Sequence, residues 1–244
     1  RLKVFLFLGK IQTIEKLFYY INAFSYLSFP IFYFFSREKK GLPTILCIYG
    51  TVVCFYLCVF DYLLEAKSYN ALLILQNLFT PFEYLIFTTI FFLSASKKRR
   101  KLLIGLSVAF IAYLVSLFII NPAKIDSHLV LDTIPVGIET ILIFIYIFSF
   151  LYEQSKTDDS ESIFKNYLFW ISIGLLLYLG GSFFFNILVT EMSLAEFDNY
   201  YHYTYIAELV KNILFLVALF KISAVKKKEL IPQIQMPYLD IDVN

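Results

Sequence analysis

Charge is scarce in this chain: only 16% of its 244 residues are Asp, Glu, Lys or Arg, and the balance is a net +2. So small a surplus offers no electrostatic footprint for a nucleic acid, and no nucleic-acid partner is expected. Histidine occurs twice, at His128 and His202, in separate segments, too sparsely for a metal site. The three cysteines, Cys47, Cys54 and Cys58, share one apolar run with no histidine beside them and no water-facing loop to hold a disulfide, so they read as small packing residues. Eight Gly and seven Pro exclude fibrous and low-complexity classes. Phosphate loops, nucleophile elbows, HExxH and CxxC motifs are all missing. The chain is therefore not expected to be an enzyme, and no cofactor is expected.

What is present is apolar surface. Hydrophobic residues make up 59% of the chain and aromatics 20%, with a mean hydropathy of +0.72, far above soluble-domain composition. About 20 apolar residues cross the hydrocarbon of a bilayer as a helix. Seven such runs are legible, at about 14–35, 43–64, 70–95, 102–120, 132–152, 166–190 and 203–223. A helix satisfies its own backbone in lipid, so the expected fold is all-α, a polytopic membrane protein of seven transmembrane helices. Residues 1–13 read as an interfacial N-terminal tail, with VFLFLG too short for a signal-peptide core, 14–223 as the transmembrane domain, and 224–244 as a C-terminal tail.

Orientation follows from the basic residues. With the N-terminus outside, the cytoplasmic segments carry Arg37, Lys39, Lys40, the block Lys97 to Lys101, Lys156, Lys165, Lys221 and Lys226 to Lys228, which is 14 of the 21 lysines and arginines. An N-out, C-in, multi-pass protein of the cell inner membrane is the expectation. The aromatic stretch DNYYHYTY, ending at Tyr205, reads as an interfacial belt at the outer end of helix seven.

Ionisable groups inside such spans cost about 2.5–3.5 kcal/mol each at a helix centre on insertion scales, so they mark candidate sites. Glu83 approaches the midplane of helix three. Glu139, Glu208, Lys211 and Asn212 fall in the outer half, as do Asn22, Gln76, Asn77 and Asn186. The pattern is that of a polar cavity open to the outer face and closed below. Glu208 and Lys211, three apart on one helix face, are placed to neutralise each other, with Glu83 or Glu139 as a second carboxylate. Pro81 is expected to bend helix three beside Glu83, and Gly174, Gly180 and Gly181 to admit close helix approach.

The stretches NALLILQNLFTPFEYLIFTTIFF and FWISIGLLLYLGGSFFF carry Asn70, Asn77 and Glu83, then Phe169, Trp170, Gly174, Tyr178 and Gly181. In these the chain resembles a widespread group of small seven-helix inner-membrane proteins of Bacteroidetes, whose members look like companions of sensor histidine kinases. That resemblance implies a role in signalling, and implies no active site. The chain is also similar to microbial rhodopsins in length and topology, with Lys211 and Glu83 imitating a Schiff-base lysine and its carboxylate. It departs from them in the spacing of Glu208 before Lys211 and in its single tryptophan, Trp170, so a colourless protein is expected.

The resulting expectation is a receptor-like sensor with an outward-facing polar cavity, signalling through a protein partner at the cytoplasmic loops or C-terminal tail. Its alternatives are a transporter or channel subunit, a structural subunit of a membrane complex, and a retinal-binding protein.

Overall fold

The computed structural model describes residues 13–37, 39–120, 133–156, 163–188 and 194–229. Of the expected tails at 1–13 and 224–244, residues 1–12 and 230–244 lie outside the described residues. All regular structure among the described residues is helical, in seven helices: α1 Thr13–Phe35, α2 Leu42–Glu65, α3 Tyr69–Leu93, α4 Lys97–Ile120, α5 Thr133–Ser155, α6 Tyr167–Leu188 and α7 Leu194–Glu229. A helix of 24 residues such as α2 is about 36 Å long, enough to cross a hydrocarbon layer of about 30 Å. Three described stretches are long and apolar enough to do so: Leu42–Glu65, Lys97–Leu117 and Ile134–Ser155. Tyr167–Phe183 is a shorter apolar stretch.

Links of three residues join α2 to α3 and α3 to α4, too short to span a helix, so these neighbours run antiparallel. Packing proceeds round a ring in chain order, and α1 against α7 closes it; α3 also reaches across to α5. The bundle therefore has a first end, where α1 and α3 begin, and a second end, where α2 and α4 begin and the basic residues gather.

Two glycines set helix distances. A Cβ on Gly50 would stand 2.5 Å from the carbonyl oxygen of Tyr26, so α1 and α2 touch backbone to backbone there. A Cβ on Gly174 would meet Leu214 Cβ at 3.3 Å and the Lys211 carbonyl at 3.4 Å, which seats α6 on α7. Gly181 faces Ala207, whereas Gly180 faces open space and sets no contact.

The interior is aromatic. Phe29, Tyr49, Tyr84, Phe87 and Phe215 are fully buried. The outside is apolar too: Leu17, Ile21, Phe24, Leu27, Ile31 and Phe34, each 38–73% exposed, form a stripe along α1 from Leu17 to Phe34, spaced three or four residues apart. An apolar stripe of that length on a helix whose opposite face is already packed fits a lipid neighbour rather than water.

Two segments differ from the sequence reading. The helix at the C-terminal side starts at Leu194, not near 203, and continues to Glu229, past the boundary at 223. No proline or glycine interrupts 194–229, so the backbone ladder continues through the polar NYYHY and KKKE segments that hydropathy places in a loop and a tail. The basic block Lys97 to Lys101 is likewise the first turn of α4 rather than a loop. There Arg99 reaches back past the helix start to bond the Ser94 carbonyl at 2.7 Å and pairs with Glu153 of α5 at 2.8 Å.

Candidate functional site

Lys211 of α7 is fully buried, with no solvent exposure at all. An ammonium without water must find donors' partners in the protein, and three N–H bonds need placing. Two are accounted for by tyrosine hydroxyls: Tyr49 of α2 at 2.7 Å and Tyr26 of α1 at 3.2 Å. The remaining side of the ammonium faces Glu83 Oε1 of α3 at 3.8 Å and the ring of Tyr178 of α6, whose centroid is 3.9 Å away. Rings of Tyr26, Tyr49 and Phe87 complete the enclosure at 5.1–5.8 Å. Five helices thus meet on one nitrogen, and α3 and α7, which are not neighbours round the ring, are joined through their side chains.

The carboxylates are held by the same tyrosines. Tyr49 donates to Glu83 Oε1 at 2.7 Å, and Tyr178 donates to Glu83 Oε2 at 3.3 Å. Tyr26 donates to Glu208 Oε2 at 2.9 Å, where the Asn22 amide also donates. Lys211 and Glu208, placed three apart to neutralise each other, are joined through the Tyr26 hydroxyl, and the acid within ion-pair reach of the ammonium is Glu83. Hydrogen bonding is symmetric about the lysine: Lys211 donates to two tyrosines, and each passes its own proton toward a carboxylate. This arrangement spreads one positive charge between two acids without a close ion pair, since 3.8 Å is beyond hydrogen-bond length.

Depth in the bundle is more even than residue counting suggests. Tyr49 lies seven residues from Leu42, about 10 Å of helix, and Glu83 lies ten residues short of Leu93, about 15 Å. Lys211, counted into the outer half, and Glu83, counted near the midplane, meet at one level near mid-depth. One turn toward the second end, Phe29, Phe87 and Phe215 form a layer, with Phe215 6.2 Å from Phe29 and 6.3 Å from Phe87. The polar network stops on these rings.

The remaining candidates surround this centre. Asn212 donates to Ser25 Oγ at 2.7 Å, and Ser25 in turn donates to the Asn22 carbonyl at 2.6 Å, which seals α7 to α1. Glu139 of α5 is buried, its Oε1 has no protein partner, and it lies within electrostatic range of Glu83 and Tyr178. Gln76 is half-buried on α3, nearer the first end. The side chains of Asn77 and Asn186 lie outside the described residues. Pro81 sits within a continuous α3, two residues before the lysine's carboxylate, where it deletes one ladder hydrogen bond. Cys47, Cys54 and Cys58 are free thiols on α2, half-buried or exposed.

Sequence reasoning missed Tyr26, Tyr49, Tyr178 and Ser25 as site residues. The signal was there: these tyrosines sit mid-span, not at the ends where interfacial belts place them, and a mid-span phenol needs a polar partner. No protein family, characterised protein or solved structure matches the chain.

Proposed function

We propose that the chain is a seven-helix integral protein of the cell inner membrane, N-terminus outside and basic end in the cytoplasm, that acts as a receptor-like sensor. The observation that carries this reading is the convergence of α1, α2, α3, α6 and α7 on the Lys211 ammonium. A change of charge or occupancy at that point alters contacts of five helices together, which is what a switch requires. Support for the spanning arrangement comes from the three spanning-length apolar stretches, the lipid-type stripe on α1 and the exposed lysines and arginines at the second end.

Output passes to a protein partner through the short connections and α7 at the basic end. Arg99 and Glu153 tie α4 to α5 there, and Ser94 of the α3–α4 link bonds the Tyr167 hydroxyl at the start of α6 at 2.8 Å, so helix movement reaches that surface. The transporter reading is less supported, because the Phe29, Phe87 and Phe215 layer interrupts the polar route.

A structural subunit is the second reading, favoured by the near-complete bonding of Lys211, which suits a fixed packing device. Photo-crosslinkers placed at Lys98 and Lys156 in native membranes separate the two. A sensor predicts that Lys211→Met, in protein that still reaches the membrane folded, changes the set or yield of crosslinked partners. An unchanged pattern in the folded variant removes the sensor reading.

A further inference from the structure

We infer that the ligand of this network is the proton, taken up from the first end at Glu208 and passed by the tyrosines and Lys211 to Glu83. The inference rests on the sensor reading above and names what is sensed.

Hydrogen-bonded contacts run unbroken along this path. Glu208 Oε2 is 2.9 Å from the Tyr26 hydroxyl, that hydroxyl 3.2 Å from Lys211 Nζ, Nζ 2.7 Å from the Tyr49 hydroxyl, and that hydroxyl 2.7 Å from Glu83 Oε1. Each link is within hydrogen-bond reach, and every group on it both gives and takes protons in some state. Glu208 is half-buried, whereas the Lys211, Tyr49 and Glu83 groups below it are buried. Toward the second end the route closes on Phe29, Phe87 and Phe215, none of which carries a proton. Among the described residues, access to the path is thus from the Glu208 end.

Charge balance gives the direction. The groups facing Glu83 are Tyr26 from α1, Tyr49 from α2, Glu139 from α5, Tyr178 from α6, and Lys211 with Glu208 from α7. The α4 helix meets α3 on another face, through Ser107, which bonds Tyr84 at 2.9 Å. Two carboxyls, Glu83 and Glu208, therefore share one ammonium, and a third, Glu139, lies within electrostatic range of Glu83. Fully ionised, the three leave two negative charges without a cation in a core that penalises unpaired charge. The unpartnered Glu139 Oε1 has the same deficit.

Proton transfer balances as follows. With a proton on Glu208, Lys211 gives one to Tyr49 as Tyr49 gives its own to Glu83. The resulting neutral amine then takes a proton from Tyr26, whose hydroxyl has turned from Glu208 and is refilled by it. The net result is one proton moved from Glu208 to Glu83, with Lys211 again an ammonium. Neutral Glu83 no longer attracts Lys211, and the link from α3 to α7 is released.

Infrared difference spectroscopy on the full chain in lipid vesicles, during a drop in pH, tests this. The wild type should develop a protonated-carboxyl C=O band with a component that Glu83→Gln lacks, and Tyr26→Phe should retain that component's final size while slowing its appearance. Glu208→Gln should slow it too, and because both of these variants keep the Lys211–Glu83 pair they serve if Glu83→Gln does not fold. A band of the same size in Glu83→Gln as in the wild type, an unchanged rate in Tyr26→Phe, or no band in the wild type overturns the inference. Should Lys211→Met still alter partner crosslinking while the wild type shows no band, the sensor reading stands and the proton is not its ligand.

Discussion

Tyr49 shows how much one hydroxyl holds in a dry interior. It accepts from Lys211 and donates to Glu83, so Tyr49→Phe leaves a buried donor and a buried acceptor each short of a partner. Such losses cost about 1–3 kcal/mol for a neutral group and more for charged ones. The expected outcome is a drop of at least that size in unfolding free energy in detergent or lipid, followed by circular dichroism, whereas Tyr62→Phe, at an exposed position on the same helix, should leave stability unchanged. The acids and Lys211 were legible as site residues because a charge in an apolar run has no bland explanation. Their tyrosine partners were legible only through depth, because a phenol in such a run is equally an apolar ring, and its place away from the span ends decides which half of its chemistry matters.

Between helices, close approach substitutes for the hydrophobic effect, which lipid does not supply. Gly50 is the tightest case: a methyl there meets the Tyr26 carbonyl at 2.5 Å and Phe29 Cδ2 at 3.0 Å, and backbone cannot yield as a flexible side chain does. Gly50→Ala should force α1 from α2, spread Tyr26 from Tyr49, and lower thermal stability by about 1–3 kcal/mol, the usual range for overpacking. Gly180→Ala, facing open space, should be neutral in the same thermal assay. Helix existence was readable from run length, since α1 to α6 begin and end within about five residues of the apolar runs. The extent of α7 was not: NYYHY and KKKE have low hydropathy, yet nothing in them breaks a helix that α1 and α6 already support.

At the scale of the whole molecule, the ring of seven helices is closed by α1 against α7 and crossed by the Lys211–Glu83 link. The proposed orientation predicts that an enzymatic reporter inserted at Lys156 is active only in the cytoplasm and one inserted at Lys67 only outside; the opposite pair of results inverts the bundle. All-helical architecture followed from composition, because spanning segments allow little else. Ring order and the shared depth of Lys211 and Glu83 did not, because both depend on which helix faces meet. That five helices are held through one ammonium is most directly tested by a double-mutant cycle on the intact protein in lipid, comparing wild type, Lys211→Met, Glu83→Gln and the double variant. Removing one partner of a buried pair typically costs about 3–5 kcal/mol, because it strands the other. The account predicts that each single change destabilises the whole bundle in one cooperative transition, and that the double variant recovers about 0.5–3 kcal/mol of the summed loss. Strictly additive losses, or single variants as stable as wild type, would contradict it.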